Sequence, residues 1–128
     1  MSSIPADLRY TKDHEYVRTG GDGVLTVGIT DYAQGELGDV VFLNLPKVGD
    51  GVTAQQPFGT IEAVKAVSEL FSPVNGVVLE VNGALETDPA AVNRDPYGAG
   101  WMVRLRLAAG AQPPALLDAA AYQAHIGE

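Results

Sequence analysis

Hydrophobic and polar positions alternate along this chain in short runs, punctuated by glycine and proline. Residues 14–19 (HEYVRT) and 24–30 (VLTVGIT) flank GGDG. That arrangement predicts an N-terminal hairpin, because glycine accepts the positive φ of a tight turn. Asp31 then stands where it can cap a short helix near 31–36 through Gln34, with Gly38 closing it. DVVFLNL (39–45) follows as a strand rich in β-branched residues, stopped by Pro46. Further short strands are predicted at 58–64, 67–71, 77–81 and 101–107. In the last, Trp101, Val103, Leu105 and Leu107 share one face, opposite Arg104 and Arg106. After the AAGAQPP linker, residues 114–125 read as a C-terminal helix. The class is mostly β, a sandwich or barrel with a minor helical part.

One internal echo changes this picture. VGDGV at 48–52 resembles VNGAL at 81–85, each following a strand and opening a new one, at an offset of 81 − 48 = 33 residues. The echo implies two similar halves related by a pseudo-twofold. The midpoint of 48 and 81 is 64.5, and Lys65 sits on it.

With 128 residues the chain suits one domain, residues 1–128, and its 46% hydrophobic content can fill a core. Sixteen acids against eight bases give a net charge of −8. That balance argues against nucleic acid, whose binding needs a basic patch, and against anionic membrane surfaces. Proteins or cationic ligands fit better. Cysteine is absent, so there is no disulfide, thiolate metal site or cysteine nucleophile, and any thiol chemistry must come from a prosthetic group. The opening MSSIPADLRYT lacks a signal core, and no apolar run reaches spanning length. A bacterial cytoplasmic protein is expected.

Enzyme signatures do not stand out. His14 and His125 are distant in sequence, with no carboxylates at ligand spacing, and His14 is expected to be a solvated residue at a strand start. No GxGxxG, GxxxxGK[ST] or GxSxG occurs. The DPYGAGW segment reads as a packed connection with Trp101 in the core.

Lys65 is different, because it interrupts the apolar run AVKAV. A lysine there is costly unless its ammonium escapes to water, and an exposed turn solves this. The turn has no Asn-Gly or Asp-Gly, so its location rests on the echo alone.

The string GTIEAVKAVSELFSPVNGVVLEVN resembles a lipoyl-attachment hairpin, and the wider chain resembles the glycine cleavage H-protein family. YTKDHEYV (10–17), VGITDYAQGELGDVVFLNLPKVG (27–49), NRDPYGAGW (93–101) and LLDAAAYQAH (116–125) match segments typical of that family, in order. One departure is visible: Ala63 stands where the family usually has serine.

The resemblance implies a barrel-sandwich hybrid of the lipoyl/biotinyl type and a carrier rather than an enzyme. Lipoate would be attached covalently to Lys65. A free lysine, protonated near neutral pH, needs a lipoate transferase or ligase to acylate it. The arm would take an aminomethyl group from glycine decarboxylase, a pyridoxal phosphate enzyme, and yield it to aminomethyltransferase. Dihydrolipoamide dehydrogenase would reoxidise the dithiol. By the same resemblance, Glu62 and Gly49 guide lipoylation, while Glu15, Glu69, Tyr32 and Asp13 shelter the loaded arm, whose amine is cationic. Tyr32 stands where some relatives have histidine and Glu69 where many have aspartate. A monomer is expected. A biotin carrier is the nearest rival, but Val64 and Ala66, not methionine, flank Lys65. A lipoyl domain of a 2-oxo acid dehydrogenase would be shorter. A lipoate-relay or interaction module of another pathway stays open.

Overall fold

A computed structural model describes residues 2–20, 23–108 and 116–128. Arg9–Tyr10 (β1) leads into a hairpin of Glu15–Thr19 (β2) and Val24–Ile29 (β3), in register from Glu15 opposite Ile29 to Thr19 opposite Leu25. Within the expected GGDG turn, Gly21 and Asp22 lie outside the described residues. Asp31–Leu37 (α1) follows, then Val40–Asn44 (β4), Gly51–Val52 (β5), Pro57–Ala63 (β6), Val67–Phe71 (β7) and Gly76–Val81 (β8). A 3-10 turn at Gly83–Glu86 and a short helix at Ala91–Arg94 (α2) precede Val103–Leu107 (β9) and Ala119–Ile126 (α3).

The strands form two antiparallel sheets, ordered β1-β2-β3-β9-β8-β5 and β4-β6-β7. Alternation along the strands turns Val27, Ile61, Leu70, Val78, Val103 and Leu105 into one shared core. A second cluster of Leu8, Tyr10, Tyr16 and Tyr122 ties α3 to the N-terminal strands. Three of the strand pairings nest about Lys65. Glu62 pairs with Val67, Val52 with Gly76 and Val24 with Arg106, and the midpoints of these numbers are 64.5, 64 and 65.

Three sequence expectations change in detail. The cap of α1 is Thr30, whose Oγ1 accepts from the Ala33 amide at 3.2 Å, while Asp31 is the first helical residue. Gly38 does close this helix, at φ +81°. The terminal helix starts at Ala119, not 114. Leu117 is held extended by reciprocal 2.8 Å backbone bonds with Tyr10, and Asp118 caps the helix through the Ala121 amide; residues 114 and 115 lie outside the described residues. Trp101 is half-buried rather than in the core, with the Arg104 guanidinium 4.3 Å over its ring. Met102, beside it, is the fully buried residue.

The echo between 48–52 and 81–85 is one of position, not of backbone shape. Gly49 adopts φ +96° in a turn, whereas the corresponding Asn82 caps a 3-10 turn at φ −77°.

Candidate functional site

Lys65 occupies the tip of the β6–β7 hairpin and is exposed. Val64 and Lys65 lack the glycine or asparagine that normally makes a two-residue hairpin turn. Tertiary bonds hold the tip instead. The Val64 amide donates to the Asp39 carbonyl at 2.9 Å and the Lys65 amide to the Leu37 carbonyl at 3.1 Å. The Ala63 amide closes the loop onto the Ala66 carbonyl at 2.9 Å.

The segment receiving these bonds is itself fixed by Asn93. Its side chain donates to the Gly38 carbonyl at 2.9 Å and to Gln34 Oε1 at 3.0 Å, and accepts from the Val40 amide at 2.9 Å. The aliphatic stem of Lys65 lies over Gly38, where a Cβ would meet Lys65 Cγ at 3.2 Å. A larger residue there would push the stem aside, and the positive φ already favours glycine. Among the described residues, Lys65 makes no ion pair. Its amine is presented to solvent on a fixed stem.

Glu62 is exposed on β6, directly between Phe42 of β4 and Val67 of β7. Gly49 is exposed in its turn, where its amide donates to the Val78 carbonyl at 2.8 Å. Its backbone conformation is reason enough for glycine.

A cleft of about 190 Å³ opens between the end of β2, α1 and the edge strand β7. It gathers Asp13, Glu15, Tyr32 and Glu69, drawn from three separate segments, over apolar walls that include Ile29, Leu37, Ile61 and Leu70. The four residues expected to shelter an arm therefore border one space. Their roles in it differ. Asp13 and Glu69 are exposed, and alternation along β7 turns Glu69 to the same face as Val67, so it meets the cleft at the lip. Tyr32 is half-buried, and the neighbouring Glu36 carboxylate pushes its phenol above the ordinary value.

Glu15 lies deepest, at 2% exposure. Its carboxylate accepts from the Thr11 hydroxyl at 3.0 Å and from the Phe71 amide at 3.2 Å, both neutral donors. Burial raises its pKa to about 8, against the opposing pull of those two hydrogen bonds. A carboxyl with no ion pair among the described residues, facing a cleft, gains most from a ligand that brings a cation.

His14 is not the solvated residue expected from sequence. It is half-buried at φ +68°, and its Nδ1 lies 2.9 Å from the Tyr122 hydroxyl. Burial, and then the nearby His125, lower its pKa. The two histidines, distant in sequence, have ring centroids 5.7 Å apart. The Tyr122 hydroxyl also lies 2.7 Å from Thr30 Oγ1, so one residue of α3 links the β2 wall to the cap of α1. Sequence reasoning missed Thr11, Asn93 and Tyr122, whose roles exist only through contacts 4 to 108 positions away. Among the described residues, no group of three or more histidine, aspartate or glutamate side chains is arranged to hold a metal ion. No described helix is long and apolar enough to cross a membrane.

The comparisons with known proteins point one way. The family model described as Glycine cleavage H-protein matches residues 8–128. The glycine cleavage system H protein of Mycolicibacterium vanbaalenii is 53% identical over 131 residues, covering 100% of both chains. That of Rubrobacter xylanophilus is 56% identical over 128 residues, covering 100% of this chain and 98% of its own. A crystal structure of a glycine cleavage system H protein from Mycobacterium marinum superposes with a TM-score of 0.89 at 42% identity, covering 98% of this chain and 100% of that one.

Proposed function

This chain belongs to the glycine cleavage H-protein family, the lipoyl carriers of the glycine cleavage system, and from that premise we propose that Lys65 is its lipoyl-bearing residue. The protein is a carrier subunit, not a catalyst in its own right. The observation that supports Lys65 is its setting: an exposed amine at the tip of the β6–β7 hairpin, with no ion pair among the described residues and its stem seated on Gly38. Lys47 sits in an open turn whose neighbours include Val48 and Gly49, and Lys12 in the polar segment before β2, and neither terminates a hairpin of the second sheet.

A lipoyl group on Lys65 would supply a cyclic disulfide that can be reduced as one sulfur accepts an aminomethyl cargo, leaving after unloading a dithiol that thiol–disulfide exchange can reoxidise. The remaining work belongs to this chain. Glu15 offers a carboxylate to the cationic amine of a loaded arm, and its ionised form is the one that such a cation stabilises. Tyr32 and Asp13 line the approach, and Glu69 borders it at the lip. Ile29, Leu37, Ile61 and Leu70 give the cleft apolar walls that would exclude water from an arm lying in it. The partners of the carrier are then glycine decarboxylase, aminomethyltransferase and dihydrolipoamide dehydrogenase, with a lipoate transferase or ligase acting first. Residues 1–128 work as one domain, as a monomer, in the bacterial cytoplasm.

Two measurements test this reading. Peptide mass mapping of the lipoylated chain should find the added mass on the peptide containing Lys65, and finding it on Lys12 or Lys47 overturns the assignment. Hydrolysis of the aminomethylated arm should be several-fold faster in Glu15→Gln than in the wild type, and by a smaller factor in Glu69→Gln. Equal lifetimes in all three would remove both acids from the sheltering role.

A further inference from the structure

The hairpin tip that carries Lys65 does not close itself. The two-residue turns that match strand twist, types I′ and II′, need a positive φ at the first central residue. Among the described residues, positive φ outside glycine occurs only at His14 and Gln55, so Val64 and Lys65 both have negative φ. A tip of that kind splays its strands unless something outside the hairpin holds it. Here the Asp39 and Leu37 carbonyls do so, by accepting from the Val64 and Lys65 amides at 2.9 and 3.1 Å.

Both carbonyls belong to the stretch that joins α1 to β4, and a single side chain spans that stretch. Asn93 Nδ2 donates to Gln34 Oε1 at 3.0 Å and to the Gly38 carbonyl at 2.9 Å, and its Oδ1 accepts from the Val40 amide at 2.9 Å. The partners dictate this polarity. Gln34 Nε2 donates to Asp31 Oδ1 at 2.8 Å, which leaves Gln34 Oε1 facing residue 93 as an acceptor. Two acceptors and one N–H therefore converge on this position. A side-chain amide satisfies all three, and a carboxylate, which has no N–H, does not. The helix α2 that delivers Asn93 has four residues and no side-chain cap, and the buried Ala91 and Val92, 5% and 0% exposed, fix it to the core.

We infer that Asn93 is a positioning residue for the acylation of Lys65: through Gly38 and Val40 it holds in place the two carbonyls that hold the tip. The inference rests on Lys65 being the lipoylated residue. Acylation asks more of the tip than exposure. The neutral amine bonds to the carbonyl carbon of an acyl adenylate, the C–O bond to the phosphate breaks, AMP leaves with the electron pair, and the amine's proton passes to a base of the enzyme. That attack needs the amine in one place. A tip released from its carbonyls spends only part of its time there, and the enzyme reads that fraction as a lower concentration of substrate, so KM rises in inverse proportion.

The test is acylation of the unmodified full-length chain by a purified lipoate ligase with lipoate and ATP, together with amide hydrogen exchange read residue by residue. Asn93→Asp keeps the shape and the acceptor but loses both donors, and Asn93→Ala loses all three bonds. Each should raise KM for the chain about 10-fold with kcat changed less than about 2-fold, as a tip in place about one-tenth of the time requires. Exchange at the Val64 and Lys65 amides should accelerate well beyond that at the Met102 amide, which is bonded to the Val27 carbonyl in the first sheet at 2.9 Å. A merely structural loss would speed exchange at all three alike. Gln34→Ala removes one of the three bonds and should give smaller changes of the same kind; it decides the matter if neither Asn93 variant folds.

Faster tip exchange at wild-type KM would overturn the positioning role and leave Lys65 standing. So would a raised KM with tip exchange unchanged, which marks direct contact with the enzyme, or equal acceleration at Met102. A fall in kcat at unchanged KM, or wild-type values throughout, would overturn it as well. Peptide mass mapping that finds the wild type modified on another lysine would overturn Lys65 and the inference with it.

Discussion

Around Lys65 the side chains face water: Phe42, Val64 and Val67 are 54%, 71% and 66% exposed, and the tip is held by backbone amides bonded to the Leu37, Asp39 and Ala66 carbonyls. Around Glu15 the situation reverses. The carboxyl is 2% exposed, its hydrogen-bond donors Thr11 and Phe71 are neutral, and the neighbouring His14, Thr30 and Tyr122 are linked through one hydroxyl. The hairpin presents a reactive group, so its chemistry can be lost without loss of fold. The cleft holds polar groups away from water, so its chemistry and its stability are the same thing.

Lys65→Arg separates the two regions most sharply. It should abolish lipoylation and glycine cleavage completely, while thermal unfolding stays within about 0.5 kcal/mol of the wild type, as expected for an exposed substitution. A large loss of stability would mean that the tip carries structural load that its exposure does not suggest.

Glu15→Gln probes the other side. Glu15 binds its proton more tightly in the folded chain, with the pKa raised from 4.5 to about 8. Its contribution to stability is therefore fully present below pH 4.5 and is lost as pH rises through about 8. The wild type should lose stability across that window by up to about 1.4 kcal/mol per pH unit. In Glu15→Gln, which cannot ionise, this component of the slope should vanish. Denaturant midpoints measured from pH 4.5 to 8 check it, and equal slopes in the two proteins would contradict the raised pKa. Binding of a cationic arm should oppose the loss, because it favours the ionised form.

Tyr122→Phe is the smallest perturbation and the most specific. It removes one hydroxyl that both His14 Nδ1 and Thr30 Oγ1 approach, and should cost about 1–2 kcal/mol in chemical denaturation. Lipoylation of Lys65 should be unchanged in rate, whereas the arm should hydrolyse faster, because two walls of the cleft lose their shared link. An effect on lipoylation instead would couple the two regions that their geometry keeps apart.

Much of the fold was legible along the chain, for a local reason. The hairpin of β2 and β3, the strand rich in β-branched residues before Pro46, α1 with Gly38 and the late strand, expected at 101–107 and found at Val103–Leu107, all follow from alternation and from residues whose backbone preferences are strong. The errors are local as well. Thr30 and Asp31 are both good caps, and sequence alone does not choose between them. The terminal helix starts late because Leu117 pairs with Tyr10, a bond across 107 positions that no neighbouring residue announces.

Sequence by itself singled out the residue that we propose carries an arm. A lysine inside AVKAV, in a chain without cysteine, is a chemical anomaly that needs no coordinates to notice. It also determined that acids outnumber bases, which suits a carrier of cationic cargo. Tertiary structure alone decided where those acids stand. Glu15, Glu62 and Glu69 read alike in one dimension, yet one is buried against an amide and a hydroxyl, one stands between two exposed apolar side chains, and one borders a cleft from an edge strand. A carboxylate's function follows from its desolvation and its partners, and both are set by segments far apart in the chain.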